Sequence, residues 1–360
     1  MARLVTPLFS LLFFLTLIIS SHAQTGQWQE MNMSGRVPHI YDMDMYDGNF
    51  GIMVTRPDMV NVFSGVNYTL NGWDTYFSLP ADTMVFDPNL PDWVRWRGVH
   101  IINRNVAVIV GDSALVYKTT DGGYTWDKLD IPWDTSLYQS PPTLHAAHFF
   151  NEQDGVIVGG DGFEAMLSMG ELHPAQIFIT SDGGSNWDLI DVPFQFLPTG
   201  MGALLTVDGA GGKYLMGGEF GLLFEFDPAG LFSQVYPVNK NAMGNIFVTD
   251  IDMPSPTDIY IVGQSAQSQT PVAFKSIFNG TRYVNMLPGN LPFGVEGMWQ
   301  VDFLNTSRGM IGAGMHYIGV TADGGYNVAP HDVGSNPPRT PMTALKMVGP
   351  QKGFACGGDT

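Results

Sequence analysis

The chain has 360 residues and carries 34 acidic against 16 basic side chains, a formal charge of −18. This charge repels phosphate and disfavours nucleic acids and anionic membrane surfaces as partners, whereas a basic protein, a cation or a neutral glycan is compatible with it. The 43 glycines, 24 prolines and single cysteine indicate many short strands and turns without an intrachain disulfide.

The first 23 residues have the pattern of an export signal. Arg3 supplies the charge, residues 4–19 are apolar but short for a membrane span, and Ser21 and Ala23 suit a cleavage site. We predict cleavage after Ala23, a secreted or extracytoplasmic protein, and one domain over residues 24–360 without a further membrane span. We expect a monomer that uses no cofactor and no metal.

Short apolar strands that end in glycine recur at intervals of about 50 residues, with a weaker first copy at residues 51–54. The six clear copies end at Gly111, Gly159, Gly217, Gly263, Gly312 and Gly357. One apolar strand precedes each copy and two follow it, which is typical of a four-stranded antiparallel blade. We therefore predict an all-β, seven-bladed β-propeller of four-stranded antiparallel blades, with blades of roughly 45–58 residues.

The last predicted blade is incomplete, because the chain stops where its third strand would begin. Residues 27–31 have the pattern of an outer strand and could complete this blade. A third strand would still be missing, so we expect either a chain truncated at its C-terminus or an under-built last blade.

A Thr-x-Asp-Gly-Gly turn joins the predicted third and fourth strands at residues 119–126 and 180–187, and in decayed form at 321–328. The Asp side chain can accept backbone N–H bonds, the glycines allow φ > 0, and Trp provides an apolar plate for packing. The residues given this structural role are Asp121, Gly122, Gly123, Trp126, Asp182, Gly183, Gly184, Trp187, Asp323, Gly324 and Gly325.

These turns resemble the Asp-box (BNR) repeats of sialidases, oligoxyloglucan-type hydrolases, sortilin and the photosystem II assembly/stability factor propellers. The run from Gly111-Asp112 through Thr119 to Leu129, with its short blades, is most similar to the last family. The resemblance covers about residues 40–360 and implies a protein- or glycan-binding or assembly scaffold. That family's arginine-rich partner surface is not matched, because this acidic chain has only nine arginines.

The resemblance also implies that the Asp turns lie on the face opposite the binding face. Loops between second and third strands, and between blades, are then expected to carry the site. Aromatic side chains there can stack on sugar rings or on apolar peptide side chains, although they could instead pack between blades. The candidate ligand-binding residues are Trp133, Tyr138, Phe194, Phe196, Phe293 and His173.

A glycoside hydrolase is the alternative function, and it requires two suitably spaced carboxylates. Weak catalytic candidates are Asp161, Glu164 and Asp134, which are equally compatible with solvated loop charge. A sialidase is disfavoured, because the arginine motif that the resemblance would require near the N-terminus is missing. We expect a binding scaffold without chemistry of its own.

The scattered histidines indicate no metal site, and His145 and His148 are predicted on opposite faces of one strand. Acidic residues recur after the strand-ending glycines, where they could attract Ca²⁺ or cap a turn; they are Asp112, Asp161 and Glu219. If the source is eukaryotic, sequons predict glycans on surface turns at Asn32, Asn67, Asn279 and Asn305.

Overall fold

The protein is described here from a computed structural model. The described residues are 39–55, 63–80, 95–162, 172–193, 202–235, 245–277, 282–286, 297–314, 317–332 and 342–357. Within them the chain forms six four-stranded antiparallel sheets and one two-stranded sheet. Strands follow one another in chain order within each sheet, as expected for propeller blades built from short hairpins.

The first three blades hold β1 (Ile40–Met45), β2 (Gly51–Thr55), β3 (Phe63–Thr69), β4 (Phe77–Pro80), β5 (Trp96–Ile101), β6 (Ala107–Gly111), β7 (Val116–Thr119), β8 (Asp127–Leu129), β9 (Leu144–Phe149), β10 (Gly155–Gly159), β11 (Gln176–Thr180) and β12 (Asp188–Asp191). The remaining sheets hold β13 (Leu204–Ala210), β14 (Lys213–Gly218), β15 (Leu223–Asp227), β16 (Leu231–Gln234), β17 (Ile246–Asp252), β18 (Tyr260–Ser265), β19 (Pro271–Ile277), β20 (Arg282–Asn285), β21 (Met298–Phe303), β22 (Gly309–Ala313), β23 (Tyr317–Thr321), β24 (Val328–Asp332), β25 (Met342–Gly349) and β26 (Lys352–Gly357). A short 3₁₀ turn, Glu219–Gly221, follows β14.

The first strands of the seven sheets form a closed inner ring. Each first strand packs against the first strand of the next sheet, and β25 contacts both β21 and β1. The apolar core lies between neighbouring sheets: Ile52 and Ile109 share one cluster, and Val158 and Phe224 share another. The ring is therefore closed by the two-stranded unit β25–β26.

The predicted number of blades, seven, is wrong. Six sheets are four-stranded, and the seventh predicted repeat forms only the two-stranded sheet β25–β26 in the described residues. The sequence count relied on the strand-ending glycine, and Gly357 ends β26 although no third strand follows it among the described residues. The proposed outer strand at 27–31 lies outside the described residues.

The recurring glycine is explained by a close approach of two backbones. In β6, β10, β14 and β18 the last paired glycine lies opposite an irregular step in the first strand of its own blade. A Cβ atom on Gly159, Gly218 or Gly263 would collide with the carbonyl oxygen of Thr143, Ala203 or Phe247, respectively. The register assigns this position in β14 to Gly218 rather than to the predicted Gly217, and in β22 to Ala313.

The Asp-Gly-Gly turns form hydrogen-bonded corners between third and fourth strands. The hydroxyl of Thr119 donates to Asp121 (2.8 Å) and accepts the N–H of Gly123 (2.9 Å). Asp121 in turn accepts the N–H and the hydroxyl of Thr125, at 2.9 and 2.6 Å. Gly123 has φ 91°, a conformation that favours glycine. The corners at Asp182 and Asp323 repeat this pattern.

A fourth corner, at residues 69–75, escaped the sequence search. Asn71 takes the place of Asp and accepts the hydroxyl proton of Thr69 (3.1 Å) and the N–H of Thr75 (3.0 Å). Trp73 takes the place of the second glycine at φ 68°, and its backbone N–H donates to the hydroxyl oxygen of Thr69 (2.9 Å). A pattern that allowed Asn and one non-glycine residue would have found this copy.

All four corners lie on one face of the ring. In each corner the N–H of the first glycine donates to a carbonyl in the turn between the first two strands of the same blade. The donor–acceptor pairs are Gly72–Asn49, Gly122–Asn105, Gly183–Gln153 and Gly324–Ser307. Because adjacent strands are antiparallel, the loops between second and third strands and the links between blades emerge on the opposite, loop face.

We expect Asp121→Ala to lower the free energy of unfolding by about 1–2 kcal/mol, because the corner loses the carboxylate that accepts hydrogen bonds from both Thr119 and Thr125. Urea denaturation would measure the loss, with Asp127→Ala, at an exposed position on β8, as the control. A loss no larger than that of the control would contradict the structural role assigned to this carboxylate.

Candidate functional site

Three of the predicted site residues meet on the loop face between the second and third blades. The rings of Tyr138 and His173 lie against each other, with centroids 4.0 Å apart at 34°. The Nε2 atom of His173 lies 2.8 Å from the carbonyl oxygen of Ser140 and 3.7 Å from a carboxylate oxygen of Asp161. The link that follows β8 and the loop between β10 and β11 are thereby joined.

His173 is only 1% exposed, so its ring is a fixed part of this junction. The 2.8 Å contact requires Nε2 to carry the proton that is donated to Ser140. Nδ1 is then an acceptor, and this buried atom has no hydrogen-bond partner among the described residues. The histidine ring is thus a buried surface against which Tyr138 packs, rather than an exposed ligand-binding group.

Two exposed leucines are the sequence neighbours of the stacked rings. Leu137 is 70% exposed and Leu172 is 37% exposed, each next in sequence to a member of the stack. Asp134 shapes the turn that presents Leu137 and Tyr138, since it accepts N–H bonds from Ser136 (2.8 Å) and Leu137 (3.2 Å). Hydrogen bonds from the hydroxyl and N–H of Ser136 hold the pKa of Asp134 below its usual range. We call Leu137, Tyr138, Leu172 and His173 the leucine–tyrosine patch.

The other predicted site residues contribute less to this patch. Trp133 is half-buried at the beginning of the same link. Glu164, Phe194, Phe196 and Phe293 lie outside the described residues. Of the two catalytic candidates that the structure describes, Asp134 accepts N–H groups within its own turn, and Asp161 accepts the N–H of Thr143 at 3.0 Å. Both carboxylates thus already hold backbone groups in place.

The acidic residues after the strand-ending glycines cap the first strand of their own blade. Asp112 accepts the N–H of Arg95 at 3.0 Å and also pairs with Nε of Arg97 at 2.7 Å. Glu219 accepts the N–H of Ala203 at 3.3 Å. In both blades the backbone N–H of the acidic residue also donates to the carbonyl oxygen of the residue whose N–H its side chain accepts. This geometry supports the capping alternative over a shared Ca²⁺ site.

A ring of charged residues on the inner strands was missed by the sequence reasoning. Corresponding positions of the seven inner strands hold Asp44, His100, His148, Asp208, Asp252, Asp302 and Lys346. One layer away, β1 and β17 carry Asp42 and Asp250. The alternation of polar and apolar residues in the inner strands was the available signal, but single acidic residues in short strands look like ordinary surface positions.

The ring carboxylates bond backbone N–H groups across four of the seven contacts between neighbouring inner strands, β1–β5, β13–β17, β17–β21 and β21–β25. The six aspartates accept backbone N–H groups across the seams at 2.6–3.0 Å. Their donors are Val99, Ile101, Met253, Val301, Phe303 and Met347. Lys346 closes the ring, with Nζ 3.2 Å from an oxygen of Asp44 and 3.2 Å from one of Asp302.

Burial dominates the electrostatics of this ring. It raises the pKa of Asp42 to about 7 and that of Asp250 to about 8, although both accept backbone hydrogen bonds. Burial beside His148 lowers the pKa of His100 to about 4. The side chain of Asp208 is 21% exposed, and its hydrogen bond from His148 Nδ1, at 2.8 Å, holds its pKa below the usual value against the effect of desolvation.

His145 and His148 of β9 have different partners. The ring of His148 lies 4.9 Å from that of His100, whereas Nε2 of His145 is 3.0 Å from the carbonyl oxygen of Gly160. Across the described residues there is no cluster of three or more metal-ligating side chains. Those residues also include no helix of the length and apolarity that a membrane crossing requires.

Two sequon asparagines lie in the described residues. Asn305 is exposed in the turn after β21, where it accepts the N–H groups of Ser307 (2.9 Å) and Arg308 (3.1 Å). Asn67 lies inside β3, is 5% exposed and accepts a hydrogen bond from Ser78, so it is not on the surface turn that was predicted. Asn32 and Asn279 lie outside the described residues.

Two solved structures resemble the fold over most of the chain. One, described as YCF48 bound to D1 peptide, has a TM-score of 0.60 at 15% identity, over 89% of this chain and 91% of that chain. YCF48 from Cyanidioschyzon merolae has a TM-score of 0.64 at 16% identity, over 89% and 94%. No family model and no curated relative matches the sequence. The predicted similarity to photosystem II assembly factor propellers is therefore confirmed at the level of the fold.

Proposed function

We propose that this protein is a polypeptide-binding scaffold that receives its partner on the leucine–tyrosine patch. The shared fold with YCF48, one structure of which is described as bound to a D1 peptide, supports a polypeptide as the ligand. The hydrogen bonds of the four corners also support assigning them to the Asp-box repeat. The observation that carries the proposal is the pair of exposed leucines beside a rigid Tyr–His stack on the loop face.

The chemistry of the patch favours a peptide over a glycan. Apolar side chains next to a fixed aromatic ring can bury a partner's apolar side chain, and buried tyrosines commonly dominate binding energies. A sugar site also needs polar groups that converge on the ring hydroxyls, but Asp134 and Asp161 are already engaged by backbone N–H groups. The charge of −18 favours a partner segment that is neutral or basic around its apolar anchor.

Tyr138→Ala is expected to weaken binding of a labelled D1 peptide at least about tenfold, because the patch loses its aromatic anchor. Fluorescence anisotropy would measure the affinity, with a scrambled peptide and a basic peptide of matched length as comparison ligands. Equal affinity for the scrambled sequence would contradict sequence-specific binding.

Leu137→Asp and Leu231→Asp are a matched pair for locating the partner. The two leucines are 70% and 66% exposed, but Leu231 follows the turn after β15 on the corner face. Binding should be lost in the first variant and kept in the second, at unchanged melting temperatures. Loss only in the second would move the interface to the corner face.

We also propose that the protein is exported, which rests on the N-terminal sequence pattern alone. Expression of the full chain in a secreting host, followed by N-terminal sequencing of the released protein, would test this. Release of a product that begins at Gln24 is expected, and retention of an uncleaved chain in the cytoplasm would contradict it.

A further inference from the structure

Buried methionines are concentrated on the two faces of the two-stranded unit β25–β26. Of the nine methionines buried in the described residues, six lie in the two apolar clusters that hold this unit against its neighbours. Met43, Met45 and Met53 lie where it meets the sheet of β1–β4, and Met310, Met342 and Met347 lie where it meets the sheet of β21–β24. The other five clusters of described residues each contain one methionine at most. We call these six residues the flanking methionines.

The flanking methionines are closely enclosed. The indole N–H of Trp73, a residue with φ 68°, donates to the sulfur of Met45 at 3.0 Å. A Cβ atom on Gly51 would collide with the same sulfur, and one on Gly353 would collide with the methyl carbon of Met310. The exposed fractions of the six side chains are 2–8%. An oxygen atom added to the sulfur of Met45 would therefore have to displace the neighbouring indole or backbone.

The unit β25–β26 is held less firmly than a complete blade. Its polar contacts with neighbouring blades include those of Lys346, Met347, Pro350 and Lys352, towards its corner-face end. Methionine is flexible and fixes a packing arrangement less strictly than branched side chains do. Two strands also gain less from pairing and packing than four. We therefore expect local opening to be more frequent in this unit than in the four-stranded sheets.

We propose that the flanking methionines are a peroxide-sensitive modification site, whose oxidation releases β25–β26 from the ring. Local opening exposes their sulfur atoms to hydrogen peroxide. A sulfur lone pair attacks one peroxide oxygen, the S–O bond forms as the O–O bond breaks, and the proton of the transferred oxygen passes to the hydroxide, which leaves as water. The sulfur is thereby oxidised by two electrons to the sulfoxide. Because the sulfoxide is polar, its return to an apolar cluster is unfavourable and the unit stays open.

Burial-matched methionines separate local opening from ordinary exposure. Met347 and Met253 are 8% and 7% exposed, and Met53 and Met286 are 2% and 3% exposed. In the full-length protein treated with hydrogen peroxide, the flanking member of each pair should form the sulfoxide at least about fivefold faster. Mass spectrometry of peptides at successive times would measure the rates. Equal rates within the pairs would overturn the proposal.

Hydrogen exchange measures whether oxidation releases the unit. After peroxide treatment, the amides of β25 and β26 should lose at least about tenfold in protection, while those of β9–β12 keep theirs. Methionine sulfoxide reductases for both epimers should restore the protection. Unchanged protection of β25 and β26 in the oxidised protein, or an equal loss in β9–β12, would contradict the proposal.

Leucine variants test whether the flanking methionines cause the release. Leucine has a similar volume but forms no sulfoxide, so Met43→Leu/Met45→Leu/Met53→Leu should retain most of the protection of β25–β26 after peroxide treatment. The control Met253→Leu/Met286→Leu should lose protection as the wild type does. If the triple variant does not fold, Met45→Leu alone should show a smaller loss than the wild type. A loss in the variants of flanking methionines that equals the loss in the wild type would overturn the proposal.

Discussion

Lys346→Met is expected to lower the free energy of unfolding by about 3 kcal/mol at pH 7, because it leaves two largely buried carboxylates without their shared cation. The side chain is one-third exposed, and those of Asp44 and Asp302 are 12% and 11% exposed. Methionine keeps the length of the side chain, so the loss reports the charge rather than a cavity. Urea denaturation monitored by tryptophan fluorescence would measure it.

Two further variants isolate the ionic contribution of Lys346. Lys352→Met removes an exposed lysine that donates to the carbonyl of Gly48, and it should cost less than about 1 kcal/mol. Adding Asp302→Asn to Lys346→Met should recover part of the loss, since one unpaired carboxylate is removed. The loss should also be smaller at pH 5, where the unpaired carboxylates can take up protons. A loss in Lys346→Met that is independent of pH and of Asp302 would contradict the ionic explanation.

Gly218→Ala is expected to destabilise the protein by about 3 kcal/mol, because the new methyl group would collide with the carbonyl oxygen of Ala203. Neither backbone can move away easily, since β13 and β14 are paired along their length. Gly263→Ala should behave alike, because its methyl group would meet the carbonyl of Phe247.

Gly349→Ala is the matched control for this clash. Its added carbon would have only the Cβ of Lys352 within reach, at 4.0 Å, so the change should stay within about 0.5 kcal/mol. Circular dichroism during thermal unfolding would compare the three variants. Equal melting temperatures for Gly218→Ala and Gly349→Ala would show that the recurring glycine has another cause.

The architecture was predictable because each blade repeats the same local chemistry. The strands that end at Gly111 and Gly159 were recognised, and the Asp121 corner has the predicted Asx geometry. The number of blades was not predictable from the glycine repeat, since that glycine reports only the approach of the second strand to the first. Gly357 therefore marks a two-stranded sheet as readily as a full blade.

The candidate site was predictable in part. Tyr138 and His173 were named because they are aromatic and histidine residues in variable segments, and the structure brings their rings into contact through a link and a loop. The inner ring was not found, because its consecutive members are 44–60 residues apart in sequence. Asp252 and Asp302, for example, influence each other only because the propeller brings β17 and β21 together. One charged residue per inner strand, at such long intervals, does not indicate a ring in the sequence.

The contact that closes the ring between the last sheet and the first has a consequence for the order of folding. Lys352 and Gly48 are 304 residues apart in sequence, whereas Asp42 and Val99, which join the first two blades, are 57 apart. Loop-closure entropy makes the longer connection costlier by roughly 1.5 kcal/mol. Neighbouring blades can therefore associate as they emerge, while circularisation must wait for both chain ends. Refolding should accordingly show a late phase that Lys346→Met slows and corner substitutions leave unchanged.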